Sequence, residues 1–377
     1  MVQSASMNVG GSSWAFGSRG AKQGLFAICA VFMMLVVARF DYRQLLGKST
    51  NPLRAPAVWG MLLAVALCAL VLVPGIGKEV NGARRWITLG PIQLQPSEVA
   101  KWASVIYLAW CLVKRPFPLE KFWKGFLPTV LPVGVACILV AKEDFGTAAL
   151  IAVCTLAILL VGGAKIKHLI VVLPPVLALG AVLVAGTPYR WRRMTSFWDP
   201  FADPRGEGYH MIQSLMSFAS GGLAGTGLGG GVQKLGYLPE DTTDFIFSVI
   251  CEELGLAGAM LLAFLYVGFV VVAWRTITSD RHDTLGKLLM FGGVTMLVTQ
   301  AVINVAVATV SVPTKGMSLP LVSAGGTGLL ITGGAIGLLV SVIRRRTLAP
   351  VPMAQVPVRD ARELTDRDWK TWTKSAA

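Results

Sequence analysis

Long apolar runs separated by short polar loops dominate this 377-residue chain. Nine such runs fall at Gly24–Phe40, Pro56–Ile76, Val99–Val113, Phe126–Ala141, Ala148–Gly163, Leu169–Thr187, Phe245–Trp274, Leu288–Val312 and Thr327–Ile343. Each is roughly long enough to cross a bilayer with some tilt. Helices are expected throughout, because backbone in lipid must satisfy its own hydrogen bonds. No run shows the alternation of a membrane barrel strand. The predicted fold class is an all-α integral membrane protein, a polytopic bundle of about nine transmembrane helices with a large outer loop over 188–244.

Composition agrees. Only 14% of residues are charged and 54% are hydrophobic, against roughly 25% charged in soluble chains. The net charge of +14 does not point to nucleic acid, because much of it lies in short loops. Arg43, Lys48 and Arg54 follow the first run. Lys114, Arg115, Lys121 and Lys124 follow the third, and Lys165 and Lys167 the fifth. Arg275, Arg281 and Lys287 follow the seventh, and Arg344, Arg345 and Arg346 the last. If every run crosses, these sets share one side, which the positive-inside bias marks as cytoplasmic. Anionic membrane lipids are the partners this charge suits. The outer side then holds the 77–98 loop, the Lys142–Thr147 turn, the 188–244 segment and the 313–326 loop. The tail over 347–377 is charged and expected to be disordered. An odd number of runs leaves the N-terminus outside, although the chain shows no signal peptide.

The six cysteines all lie in apolar runs without CxxC spacing and read as small buried hydrophobes. His168, His210 and His282 show no metal-ligand spacing.

The outer loops carry the chemistry. The first contains Arg84-Arg85-Trp86 and then Gln95-Pro96-Ser97-Glu98, with Pro96 where the next helix should begin. Glu98 and Lys101 lie one turn apart at its mouth, either as a functional pair or as an interfacial i,i+3 pair. The long loop opens with Tyr189-Arg190-Trp191-Arg192-Arg193, suited both to an interfacial aromatic belt and to gripping phosphate oxygens. A glycine-rich stretch from Gly221 to Gly231 contains a formal GxGxxG, but no strand precedes it, so a dinucleotide site is rejected. Its amides could approach an anion or sugar, or its glycines could serve a tight re-entrant turn. Thr243 is expected to cap the seventh helix, with Asp244 in its first turn as an ionised acid or a mere capping-region carboxylate. Glu252 and Glu253 fall about two turns into that apolar helix and should face protein or water. Lys315 is a lone outer-face cation.

Taken in order, these segments resemble the SEDS family (shape, elongation, division and sporulation), the membrane glycosyltransferases typified by FtsW and RodA. The matching pieces are Gly82-Ala-Arg-Arg-Trp86, Gln95-Pro-Ser-Glu98, Asp144-Phe-Gly-Thr147, Arg192-Arg-Met-Thr-Ser-Phe-Trp198, Gln213-Ser-Leu215, Gln233-Lys234, Tyr237-Leu-Pro-Glu240, Thr243-Asp-Phe-Ile-Phe247, Glu252-Glu-Leu-Gly255 and Pro313-Thr-Lys-Gly316. They cover nearly the whole chain up to residue 346, and Pro313-Thr-Lys-Gly316 is similar to the FtsW, or cell-division, branch.

The resemblance implies a peptidoglycan glycosyltransferase in the bacterial inner (cytoplasmic) membrane. Lipid II, an undecaprenyl-pyrophosphate-linked disaccharide-pentapeptide, would be donor and acceptor on the outer face. Asp244 matches the family's essential acid and would act as general base on the acceptor 4-hydroxyl. Arg84, Arg85, Arg192, Arg193, Lys234 and Lys315 would contact pyrophosphate. Trp86 and Glu98 match residues the family keeps in the site. Lys101, Asp144, Gln213, Glu240 and Ser323 complete the expected substrate-binding set. A divalent cation (Mg2+ or Mn2+) is compatible with such a site, though no ligand set announces it. A class B penicillin-binding protein and other divisome proteins are the implied partners.

Three features depart from the family. Ala324 and Gly328 stand where relatives usually show Tyr and Ser, and Lys142-Glu143 replaces a less charged pair. Val2-Gln-Ser-Ala-Ser6 resembles the end of the family's first transmembrane helix, so residues 1–23 are expected to hold a remnant of it. Either the start is misassigned or a tenth helix is absent. Two other functions stay open on the sequence: a lipid II flippase, which midplane charges on broken helices would favour, and a division scaffold of low activity.

Overall fold

The computed structural model describes residues 19–47, 54–80, 82–90, 92–114, 117–233, 238 and 242–345. The chain runs through helices α1 (Arg19–Val37), α2 (Pro56–Leu70), α3 (Pro96–Lys114), α4 (Leu127–Glu143), α5 (Phe145–Val161) and α6 (Ile166–Ala185). It continues through α7 (Pro188–Trp198), α8 (Tyr209–Gly221), α9 (Ile246–Thr278), α10 (Thr284–Ala308) and α11 (Gly326–Arg344). Every apolar run of the sequence is helical. Five helices are long and apolar enough to cross a membrane: α4 with the π turn before it, α6, α9, α10 and α11. The stretch Lys22–Val37 of α1 and helices α2 and α5 are also apolar but shorter. Helix α3 is diluted by Glu98, Lys101 and Lys114, and it compensates by burying nearly its whole surface in the centre of the bundle. A charged residue at membrane depth is tolerated when it faces protein. The expected remnant helix over 1–23 lies mostly outside the described residues, with only its last part at the start of α1, and the tail over 347–377 lies wholly outside them.

Helix pairs meet where small residues permit it. A Cβ at Gly333 would stand 2.7 Å from the Ala30 carbonyl oxygen, and one at Gly337 would strike the Met34 carbonyl. These glycines form a small-xxx-small stripe that lets α11 lie backbone to backbone against α1. In lipid, where no hydrophobic effect drives helices together, such contact is a main source of association.

The two ends of the bundle differ in chemistry. At one end, Tyr42 donates to Asp283 Oδ1 at 2.7 Å, Arg43 pairs with Asp283 at 3.4 Å and Arg345 pairs with Asp41 at 3.3 Å. Three basic loops that the sequence assigns to the cytoplasm therefore meet, as alternate crossing requires. Burial and the Asp283 hydrogen bond push the Tyr42 phenol up to about 12. The other end gathers the expected outer loops.

Two features of the outer side add to the all-α bundle that the sequence predicted. The 77–98 loop forms an antiparallel sheet of β1 (Gly77–Val80), β2 (Ala83–Leu89) and β3 (Ile92–Leu94), in that order. This sheet lies beyond the helix ends, where backbone edges can meet water. The register pairs Lys78 with Trp86 and Glu79 with Arg84. Arg85 is the extra residue of the resulting bulge. Within 188–244, α7 and α8 are amphipathic helices with aromatic and apolar side chains exposed along them, among them Trp191, Trp198 and Met216.

Candidate functional site

The outer loops enclose a cavity of about 980 Å³. One wall comes from the sheet. Bulges re-aim side chains, and here the bulge separates the two arginines. Arg84 stays beside the sheet, 3.4 Å from Glu79. Arg85 turns inward and donates its Nε to the Glu143 carbonyl at 2.9 Å. Trp86 lines the same wall.

The α4–α5 corner forms the second wall. Asp144 caps α5, accepting from the Thr147 backbone N–H at 3.1 Å and from its hydroxyl at 2.8 Å. This satisfies a helix end that would otherwise leave orphan donors. The same corner is gripped by Arg190 from α7, which donates to the Ala141 and Lys142 carbonyls at 2.9 and 2.7 Å. Burial and the neighbouring Arg85 lower the Arg190 pKa, while Glu143 and Asp144 work against that shift. Arg193, one turn on, lies over the Tyr189 ring at 4.3 Å, pairs with Glu207 at 3.6 Å and reaches the Thr314 carbonyl at 3.5 Å.

The floor is a buried polar chain. Lys101 Nζ stands 2.8 Å from Glu98 Oε1 and 2.7 Å from Gln300 Oε1. Gln300 donates onward to the Ser318 carbonyl at 2.8 Å. Glu98 and Lys101 are thus a desolvated pair beneath the cavity, with Lys101 only 3% exposed.

Asp244 and Lys315 face the cavity from the two remaining loops. Asp244 does not sit in the first turn of its helix, as the sequence suggested. It lies in a turn, and α9 starts at Ile246 with Phe245 at the cap position and no side-chain cap. The Thr243 carbonyl instead accepts a hydrogen bond from Ser323, at 2.5 Å. Ser323 also accepts from the Leu319 amide at 2.7 Å, and the Ala324 amide donates to Thr242 at 2.9 Å. Asn304 donates to the Asp244 and Met317 carbonyls at 2.8 and 2.6 Å. Lys315 lies 5.1 Å from the Phe145 ring centre. Burial pushes its pKa down, and Asp144 partly offsets the shift.

The glycine-rich stretch proves structural. Helix α9 is interrupted at Gly255, which has φ of 62°. The carbonyls of Glu252 and Glu253 freed by that break accept from the Thr226 and Gly227 amides at 2.9 and 3.0 Å, and Leu256 donates to Gly222 at 3.1 Å. A Cβ at Gly255 would stand 2.5 Å from the Gly225 nitrogen, so only glycine allows this approach. An internal anion meets the end of this stretch: Glu252 Oε1 accepts from the Val232 and Gln233 amides at 2.8 and 3.3 Å. Glu252 and Glu253 are 1% and 0% exposed, facing protein as their position in an apolar helix required.

Of the residues singled out by sequence, the cavity brings together Arg85, Trp86, Glu98, Asp144, Arg193, Asp244, Lys315 and Ser323, with Lys101 beneath. Arg84, exposed Arg192 and half-buried Gln213 are not among the described residues lining it. Lys234 and Glu240 lie outside the described residues. Ala324 and Gly328 do line it, and a Cβ at Gly328 would meet Glu98 at an ordinary 3.6 Å. Sequence reasoning missed Arg190, Gln300 and Asn304. For the last two, a polar amide repeated after four residues inside an apolar helix was the available signal.

Among the described residues no three carboxylate, histidine or cysteine groups stand close enough together to hold a metal ion. Glu98 is committed to Lys101, Asp144 to Thr147, and Glu143 to the Arg84 amide at 2.8 Å. This donor set does not fit a metal held by the protein alone.

The chain matches the FtsW/RodA/SpoVE family, described as cell cycle protein, over residues 1–348. It is 38% identical over 354 residues to a probable peptidoglycan glycosyltransferase FtsW of Halomonas elongata, covering 91% of this chain and 85% of that one. A probable peptidoglycan glycosyltransferase FtsW of Halorhodospira halophila is 42% identical over 309 residues, covering 78% and 77%. Among solved structures, a chain of a peptidoglycan synthase complex that coordinates polymerization and crosslinking superposes with a TM-score of 0.69 at 31% identity, covering 87% and 90%. The rod shape determining protein RodA of Thermus thermophilus does so with a TM-score of 0.61 at 28% identity, covering 87% and 88%.

Proposed function

Because this chain belongs to the FtsW/RodA/SpoVE family of cell cycle proteins, we propose that it is a multi-pass inner-membrane peptidoglycan glycosyltransferase that polymerises lipid II on the outer face during division. The observation that supports this reading is the convergence of Asp244 with Lys315, Arg85 and Arg193 around a single cavity at the outer end. A sugar transfer from pyrophosphate needs both a base and cations within reach of one bound substrate.

In this mechanism Asp244 takes the proton from the acceptor 4-hydroxyl. The oxygen attacks the donor's anomeric carbon, and the bond from that carbon to pyrophosphate breaks, its electron pair leaving with undecaprenyl pyrophosphate. One displacement inverts α to β, so no covalent intermediate is needed. Lys315, Arg85 and Arg193 stabilise the charge growing on the leaving group. The charged residues that line the cavity belong to loops and helix ends on one side of the bundle, which supports transfer over transport. A cavity of this size is at the upper end of small-molecule pockets and suits a bulky head group.

The similarity to a chain of a synthase complex supports a class B penicillin-binding protein as partner, bound through membrane helices. The test of the catalytic reading is polymerisation of lipid II in liposomes by the intact protein and by Asp244→Asn. The variant should insert normally and make no glycan; glycan made at the unaltered rate overturns the assignment of the base.

A further inference from the structure

Resting on that reading, we infer that Asn304 is a positioning residue that sets the distance between the base, Asp244, and the cation, Lys315. The two groups come from different loops, and neither loop is part of a helix at that point. Something rigid must therefore hold them in register, because transfer depends on where the base stands relative to the leaving group. A displacement of about 1 Å can cost on the order of 100-fold in rate.

Asn304 lies near the end of α10, with its side chain 1% exposed. Its amide nitrogen donates to the Asp244 carbonyl at 2.8 Å and to the Met317 carbonyl at 2.6 Å, two residues beyond Lys315. Both partners are carbonyl oxygens, which can only accept, so the nitrogen must face them. Both N–H groups of one planar amide are spent on the two functional loops. One turn earlier, Gln300 holds the Ser318 carbonyl while accepting from Lys101. The loop bearing Lys315 thus hangs from two amides on a single buried helix. Asn304 bonds the Asp244 segment as well. A four-residue spacing puts both amides on one face of α10, and that helix packs against α3, which carries Glu98 and Lys101.

The experiment compares kcat and KM for lipid II polymerisation, with thermal midpoints, in Asn304→Leu, Asn304→Asp and Asn304→Gln. Leucine keeps the branched outline but removes both donors. Aspartate keeps the shape but presents oxygens to carbonyls. Glutamine keeps two donors on a longer arm. Ser341→Ala serves as the structural control, since its buried hydroxyl bonds the Phe40 carbonyl at 2.6 Å at the opposite end of the bundle. The expected result is a fall in kcat of about 100-fold for leucine and aspartate with KM little changed, partial recovery with glutamine, and a normal rate for Ser341→Ala at a comparable loss of thermal stability. Leucine and aspartate variants that polymerise at the normal rate overturn the inference. So does a loss of rate that simply tracks thermal stability in all four proteins. If leucine prevents insertion, the aspartate and glutamine variants still decide it. An active Asp244→Asn would sink the base assignment; an inactive Asp244→Asn beside a normal Asn304→Leu sinks only this inference.

Discussion

Gly316 lies directly against Asp244: a Cβ added there would stand 2.9 Å from Asp244 Oδ2, and 3.7 Å from Arg85 Nη1. The backbone of the Lys315 loop thus comes close to both the acid and a guanidinium, with no room for a side chain. Gly316→Ala should push the carboxylate aside and lower kcat for lipid II polymerisation by about 100-fold, while membrane yield stays normal. An alanine enzyme with the parent rate would show that Asp244 has room to move.

Lys101 gives a prediction about stability. It is the buried counter-ion of Glu98, and removing one member of such a pair leaves an uncompensated charge, at a cost of about 3–5 kcal/mol. Lys101→Met should therefore unfold at a much lower temperature than the parent protein. The double variant Glu98→Gln/Lys101→Met should recover much of that loss, because no charge is left buried. Thermal unfolding in detergent reads both, and equal midpoints for the single and double variants would contradict the account.

The break in α9 predicts the effect of Gly255→Ala. A side chain at this glycine-only backbone conformation costs about 1–3 kcal/mol by itself, and here it also meets the Gly225 nitrogen at 2.5 Å. The glycine-rich return should detach from the break, leaving the Glu252 and Glu253 carbonyls without their amide donors. Protease cleavage between residues 221 and 233 should become faster than in the parent. Unchanged cleavage would mean that the segment is held by something other than the break.

Lys315 sets the alkaline side of the activity profile. Burial lowers its pKa, and the Asp144 carboxylate holds it up. The cation is needed while pyrophosphate leaves, so activity should fail as pH rises through the lowered pKa, below the value near 10.4 of a free lysine. Asp144→Asn removes the group that favours the charged form. The alkaline limb of kcat/KM should then move to still lower pH. A limb that stays put, or moves upward, would disconnect these two residues.

Much of this protein was legible in its sequence. Lipid leaves a backbone few options, so nine apolar runs became helices with ends shifted by only a few residues. The buried position of Glu252 and Glu253 followed from the cost of charge in an apolar helix. The outer loops that converge on the cavity were also identifiable, from their charged and aromatic residues. Nothing local, however, distinguishes Arg84 from Arg85 or Arg192 from Arg193. A register shift in a small sheet turns Arg85 inward, and the face of a short amphipathic helix selects Arg193. Those choices depend on what the neighbouring segments offer. The same holds for Asp244, whose expected helical turn gave way to a turn fixed by Ser323 and Asn304 from about 60 to 80 residues away. Sequence alone determined which residues must leave the lipid and gather at one end. Only the tertiary structure decided which of them share a cavity, because hydrogen bonds between distant loops have no periodicity to read.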